Sequence, residues 1–153
     1  MTIQNDILES VYQTLINYAN LEKFVEKKDI FIGVPSVEQN FSKNSIVIEP
    51  ALFNILQTNF ISKTESARRY SFEISIFADY TQDSKDDNLK KFLEFVAMIP
   101  NAIDSSSYIS SNTSIFKVEL LEIGTDFASK DKILTRGAEI KYQFTGAYNS
   151  GNL

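Results

Sequence analysis

Between Arg68 and Tyr80 the chain reads RRYSFEISIFADY. Tyr70, Phe72, Ile74, Ile76, Ala78 and Tyr80 alternate with Arg69, Ser71, Glu73, Ser75 and Asp79, and Phe77 is the one breach. Successive side chains of an extended chain point to opposite faces, so this pattern predicts a strand with one buried and one polar face. At about 3.3 Å per residue it reaches roughly 40 Å, about twice an ordinary strand. The stretch ILTRGAEIKYQFTGAY repeats the pattern. Ile140, Tyr142, Phe144 and Tyr148 fall on one face, and Glu139, Lys141, Gln143 and Thr145 on the other.

Two segments carry the helical period instead. In NDILESVYQTLINYANLEKFVEKK, the residues Ile7, Leu8, Val11, Tyr12, Leu15, Ile16 and Ala19 recur on one face. Asn5 or Asp6 can cap the start, and Lys27 and Lys28 suit the negative end of the helix dipole. In NLKKFLEFVAMIP, the residues Leu89, Phe92, Leu93, Val96 and Ile99 form the stripe, and Pro100 ends it. Both stripes read as core-facing.

The connecting stretches are less regular. DIFIGVPS and SIVIEPA predict short strands closed by Pro35 and Pro50. LFNILQTNFISKTESA reads as a strand, a short helix or a surface loop. As a strand it pairs with the long one in a hairpin whose tip is SKTESA. NAIDSSSYISSNTS predicts a mobile Ser-rich loop. IFKVELLEI predicts a strand with Phe116, Val118 and Leu120 inward, followed by a turn region GTDFASKDK, and NSGNL is expected to fray. The order α–β–β–β–α–β–β predicts an α+β fold: a two-layer sandwich, mainly antiparallel, with two amphipathic helices on one face and a long β-hairpin. The expected core is Leu8, Val11, Leu15, Phe72, Ile74, Ile76, Phe92, Val96, Ile140, Tyr142 and Phe144. No repeat or linker divides the chain, so residues 1–153 are expected to form a single domain, with 149–153 a flexible tail.

Composition narrows the chemistry. The sequence has neither Cys nor His. That removes disulfides, thiolate metal sites, the Cys nucleophile and the commonest general base. DYTQDSKDD gathers Asp79, Asp83, Asp86 and Asp87, without the ligand alternation or the Gly of a calcium loop. Ser105, Ser106 and Ser107 have no His to activate them, and the glycines form no phosphate-cradling cluster. No catalytic residue, metal or cofactor is expected. A net charge of −5 argues against tight binding to nucleic acid, which needs clustered cations. The N-terminal stretch lacks the basic and apolar regions of a signal peptide, and no apolar run is long enough to span a bilayer. The charged cluster Lys63, Glu65, Arg68 and Arg69 reads either as a solubilised hairpin tip or as one side of an inter-subunit contact. The acidic run with Asp79, Asp83 and Asp86 is the other side of such a contact.

The layout of these residues resembles the tail terminator (tail completion) proteins of long-tailed bacteriophages, the lambda-type terminator family. The helix ILESVYQTLINYA precedes two short strands. A variable segment leads to RRYSFEISIF, the helix DNLKKFLEFVAMIP follows, and Arg136, Tyr142 and Phe144 close the layout, here spaced R-x-x-x-x-x-Y-x-F, one residue longer than the family's R-x-x-x-x-Y-x-F. The resemblance covers roughly residues 7–148. It implies a virion protein assembled in the host cytoplasm. It implies a ring of copies of itself, usually a hexamer, that caps the tail tube protein, stops its polymerisation and meets the head-completion or connector protein. DNA passes through the lumen without tight binding. The alternatives are another neck or tail component, such as a head-completion adaptor or tube subunit, or an unrelated α+β binding module.

Overall fold

The computed structural model describes residues 2–34, 43–58, 67–83, 85 and 88–149. Helix α1 spans Ile3–Ile16. Its cap is Thr2, not Asn5 or Asp6: the Thr2 hydroxyl accepts the Asn5 N–H at 3.2 Å. Ile3, Ile7, Leu8, Val11, Thr14 and Leu15 are buried at helical spacing. The helix stops earlier than its apolar period suggests, so Ala19 is exposed rather than part of the stripe. The Asn17 side-chain amide bonds back to the Gln13 carbonyl at 2.9 Å, the local competition that makes Asn a poor helix interior. Two 3-10 turns, Ala19–Lys23 and Lys27–Asp29, continue the chain and bury Leu21.

Five strands form one sheet in the order β1-β2-β3-β5-β4. They are β1 (Ile30–Ile32), β2 (Ser45–Thr58), β3 (Ala67–Asp83), β4 (Ile115–Lys130) and β5 (Ile133–Asn149). Every neighbouring pair is antiparallel except β1 with β2. Strands β2 and β3 make the long hairpin, from Ser45 opposite Asp79 to Thr58 opposite Arg68. Its tip lies outside the described residues, as do Pro35, Lys63, Glu65, Asp86 and the last four residues of the chain.

Three expectations change. Pro50 does not end β2. The register slips between Pro50 and Leu52, and β1 reaches only Ile48, so the missing proline N–H falls at a bulge on an open edge. GTDFASKDK is not a turn region. Strand β4 runs through it to Lys130, and the turn is only Asp131 and Lys132, both with positive φ (51° and 70°). A two-residue hairpin loop of this hand matches the twist of its strands. Phe116 and Leu120 are 64% and 46% exposed: Leu120 does face the helix side, opposite Tyr142, but β4 is the outermost strand and leaves it uncovered.

Helix α2 spans Leu89–Asp104 and carries Pro100 inside it rather than at its end. Asn88 caps it, accepting the Lys91 N–H at 3.1 Å. Its buried stripe is Phe92, Phe95, Val96, Ile99, Ala102 and Ile103, so Phe95 takes the place expected of Leu89 and Leu93, which are exposed. The Ser-rich stretch is held as well. Ser106 caps the short helix α3 (Ser107–Ser110) and bonds to Thr14 of α1, and Ile109 is buried. Asn112 donates to Asp6 at 3.1 Å, and the Tyr70 hydroxyl donates to the Ser114 carbonyl at 2.7 Å.

The fold is α+β. The helices lie on one face of the sheet, and the core fills the space between. Leu8, Val11, Leu15, Phe92 and Val96 are buried with Phe72, Ile74, Ile76, Ile140, Tyr142 and Phe144. Each such side chain contributes about 1.5–3 kcal/mol on leaving water.

Candidate functional site

The face of the sheet turned away from the helices is the polar side of the two alternating strands. Register places Ser71 opposite Thr145, Glu73 opposite Gln143, Ser75 opposite Lys141 and Phe77 opposite Glu139. Cross-strand bonds stitch these rows together. Gln143 Nε2 donates to Ser71 Oγ at 2.6 Å, and Ser75 Oγ donates to Glu139 Oε1 at 3.0 Å. Ser71 and Ser75 are buried although they point outward, because short side chains sit beneath longer neighbours. Lys141 reaches Glu122 at 3.0 Å and Glu139 at 3.9 Å, and Lys117 reaches Glu119 at 2.7 Å. The Glu122 carboxylate holds the Lys141 ammonium above its ordinary pKa, first through a hydrogen bond and then through charge.

A shallow depression of about 310 Å3 opens where this face loses side chains at Gly124 and Gly137. Phe77, Asp79, Asp126 and Glu139 stand around it. A Cβ on Gly137 would meet Asp126 Oδ1 at 2.8 Å and Asp79 Oδ1 at 3.0 Å, so the glycine lets two carboxylates approach one backbone position. Partial burial raises the Asp79 pKa, and the neighbouring Asp126 charge raises it further. Among the described residues, no group of three or more potential ligands is placed to hold a metal ion.

The sequence-predicted contact residues separate along β3. Arg68 and Arg69 stand at its start, on opposite faces: Arg68 is in the row of Tyr70 and Arg69 in the row of Ser71. Asp79 and Asp83 stand toward its far end. At about 3.3 Å per residue, Arg69 and Asp79 are roughly 33 Å apart, so they cannot meet within one subunit. Asp83 Oδ1 accepts the Lys85 N–H at 3.0 Å and closes the end of the strand.

Sequence reasoning missed β4 as a surface. Its register puts Leu120, Ile123 and Phe127 opposite Tyr142, Ile140 and Arg136, on the helix side of the sheet. No helix covers them: they are 46%, 43% and 68% exposed. The Arg136 guanidinium lies over the Phe127 ring, 5.6 Å from its centroid. The signal was the alternation Ile123, Thr125, Phe127, which carries the strand pattern into the run read as a turn.

No protein-family model matches the chain, and no curated protein matches it by sequence. Among solved structures, a chain of the "Virion of native gene transfer agent (GTA) particle" is similar, with a TM-score of 0.46 and 14% identity. The superposition covers 92% of this chain and 94% of that one. No helix among the described residues is long and apolar enough to cross a membrane.

Proposed function

We propose that this chain is a non-catalytic structural protein of a phage-type virion. It forms a ring, with six copies as the expected number, at the head-proximal end of the tail. There it stops polymerisation of the tail tube protein and offers a seat to the head-completion or connector protein. The observation that carries the reading is the sidedness of the subunit. Its helices all pack on one face of long strands, and the other face is a hydrogen-bonded polar ladder. The order of elements along the chain also follows the layout that resembles tail terminators.

A subunit of this kind can present its helices outward and its polar sheet face to a neighbour or to a lumen. The polar face carries Glu73, Asp79, Glu119, Glu122, Asp126 and Glu139 against fewer cations, Arg69, Lys117, Lys130 and Lys141. An acid-rich wall repels the phosphates that pass it, which suits a channel that must release DNA.

The test is electron microscopy and light scattering of the purified protein, alone and with tail tubes. Single rings that bind tube ends and stop further growth are expected. A protein that stays monomeric even on tubes overturns the reading. The long open strands also fit a tube subunit, and that reading is selected if the rings stack into tubes without limit.

A further inference from the structure

Apart from the outer side of the three-residue β1, the sheet has two edges without a described partner strand. One is the whole outer edge of β4. The other is β2 beyond Ile48, where the pairing with β1 stops and only β3 continues alongside. An unpaired edge presents a row of N–H and C=O groups that only another extended backbone satisfies in full. Soluble proteins usually blunt such edges with proline, bulges or inward-pointing charges. Strand β4 has register shifts at Ile115/Lys117 and Leu120/Glu122, but none from Glu122 to Lys130, and it has no proline; β2 carries Pro50 and shifts at Pro50/Leu52 and Ile55/Gln57, which leaves Leu52 to Ile55 as its regular free stretch.

The two edges match each other. Strands β2 and β5 run in the same direction, since each is antiparallel to β3, and β4 runs opposite to both. A second copy displaced sideways in the plane of the sheet therefore brings its β2 antiparallel to β4, with both helix layers on the same side. Antiparallel ladders are the slightly more stable kind. Uncovered apolar side chains lie on that same side at both edges, and Leu52 of β2, opposite Glu73, adds one on the polar side. On the helix side they are Leu120, Ile123 and Phe127 of β4, and on β2 Ile55, which is 46% exposed and stands in the row of Tyr70.

We infer that copies of this chain join head to tail, the edge of β4 in one copy pairing with the free half of β2 in the next, to make a continuous sheet. The inference rests on the ring reading and names the surfaces that close it. A contact between two different patches leaves each copy with one donor and one acceptor edge, which is what a ring requires.

The experiment uses two variants of the full chain. In one, Ile123→Lys and Phe127→Lys place charge on the β4 edge. In the other, Leu52→Lys and Ile55→Lys do so on the β2 edge. All four positions are at least 43% exposed, and unchanged circular dichroism and melting check that each variant folds. If the β4 pair lowers the melting temperature, Phe127→Lys alone takes its place. Each variant alone is expected to lose assembly where the wild type assembles, measured by light scattering. Mixed together they are expected to form a one-to-one dimer that grows no further, because one intact edge remains on each. A β2-edge variant that dimerises by itself means β4 pairs with β4, and the inference fails. A wild type that assembles, with both variants assembling equally well, overturns the choice of edges and leaves the ring standing. A wild type that stays monomeric on tubes overturns both.

Discussion

Strands β5 and β4 pair along almost their whole length, yet they have different fates. Ile140 and Tyr142 of β5 are 0% and 1% exposed, while their partners Ile123 and Leu120 on β4 are 43% and 46% exposed. The side chains are of similar size and share the same face of the sheet. The difference is what lies above them. Helices α1 and α2 pack over the interior of the sheet; on β4 Ile115 and Val118 pack against the core, while Leu120, Ile123 and Phe127 stay exposed. Apolar alternation thus marks the side a residue takes, and the covering layer decides whether that side is dry.

The largest test of this contrast is a buried charge. An unpartnered carboxylate in the core costs several kcal/mol, so Ile140→Asp is expected to leave little folded protein. Ile123→Asp, one strand away on the same face, is expected to lower stability by less than about 1 kcal/mol, as surface substitutions do. Chemical denaturation of the two variants measures the difference. Equal melting would mean that β4 is covered in solution even in the monomer.

The glycines sharpen the same comparison. A Cβ at Gly146 of β5 would come within 1.8 Å of the Ser114 carbonyl oxygen, whereas one at Gly124 of β4 meets nothing within 4 Å. Gly146→Ala must push backbone apart and is expected to cost about 1–3 kcal/mol. Gly124→Ala is expected to be neutral, or to stabilise by up to about 1 kcal/mol by restricting the unfolded chain. Thermal melts of both variants check the order.

The smallest effect concerns the depression between the two strands. Asp79 has a raised pKa because burial and the Asp126 charge disfavour its ionised form. Its contribution to stability is therefore fully present below the ordinary carboxylate pKa and is lost as pH rises through the raised value. Asp79→Asn is expected to stabilise the protein slightly at neutral pH, by less than about 1 kcal/mol given the exposure of the site. The advantage should vanish in acid below the ordinary carboxylate range. A gain that is constant across pH would assign the effect to packing rather than charge.

The strongly periodic segments were legible. RRYSFEISIFADY and EIKYQFTGAY announce strands with a fixed inner face, and the inner residues named from alternation are found buried, except Tyr80, which is half-buried. The errors cluster where one local signal outweighed the wider context. Pro50 reads as a stop, but a bulge on an edge that needs no N–H absorbs it. GTDFASKDK reads as a turn because Gly, Asp, Ser and Lys are turn-forming, but pairing with β5 holds Gly124 to Lys130 extended and leaves only Asp131 and Lys132 to turn. The Ser-rich stretch reads as loose, but Ser106 and Asn112 tie it to α1. The candidate surface was half visible: the polar face was read from alternation, while the glycine-floored depression and the uncovered row on β4 were not.

By itself the sequence determined the α+β class, the two long two-faced strands and the absence of thiol and imidazole chemistry. Each of these follows from residue type or from a period of two or about 3.6, which adjacent residues express without outside help. Only the tertiary structure decided which strand lies at the edge, which apolar rows stay uncovered, and that Asp79 and Asp126 share one hollow over Gly137. Those outcomes depend on strand order and on the reach of two helices, contacts between residues far apart in the chain that no local pattern encodes.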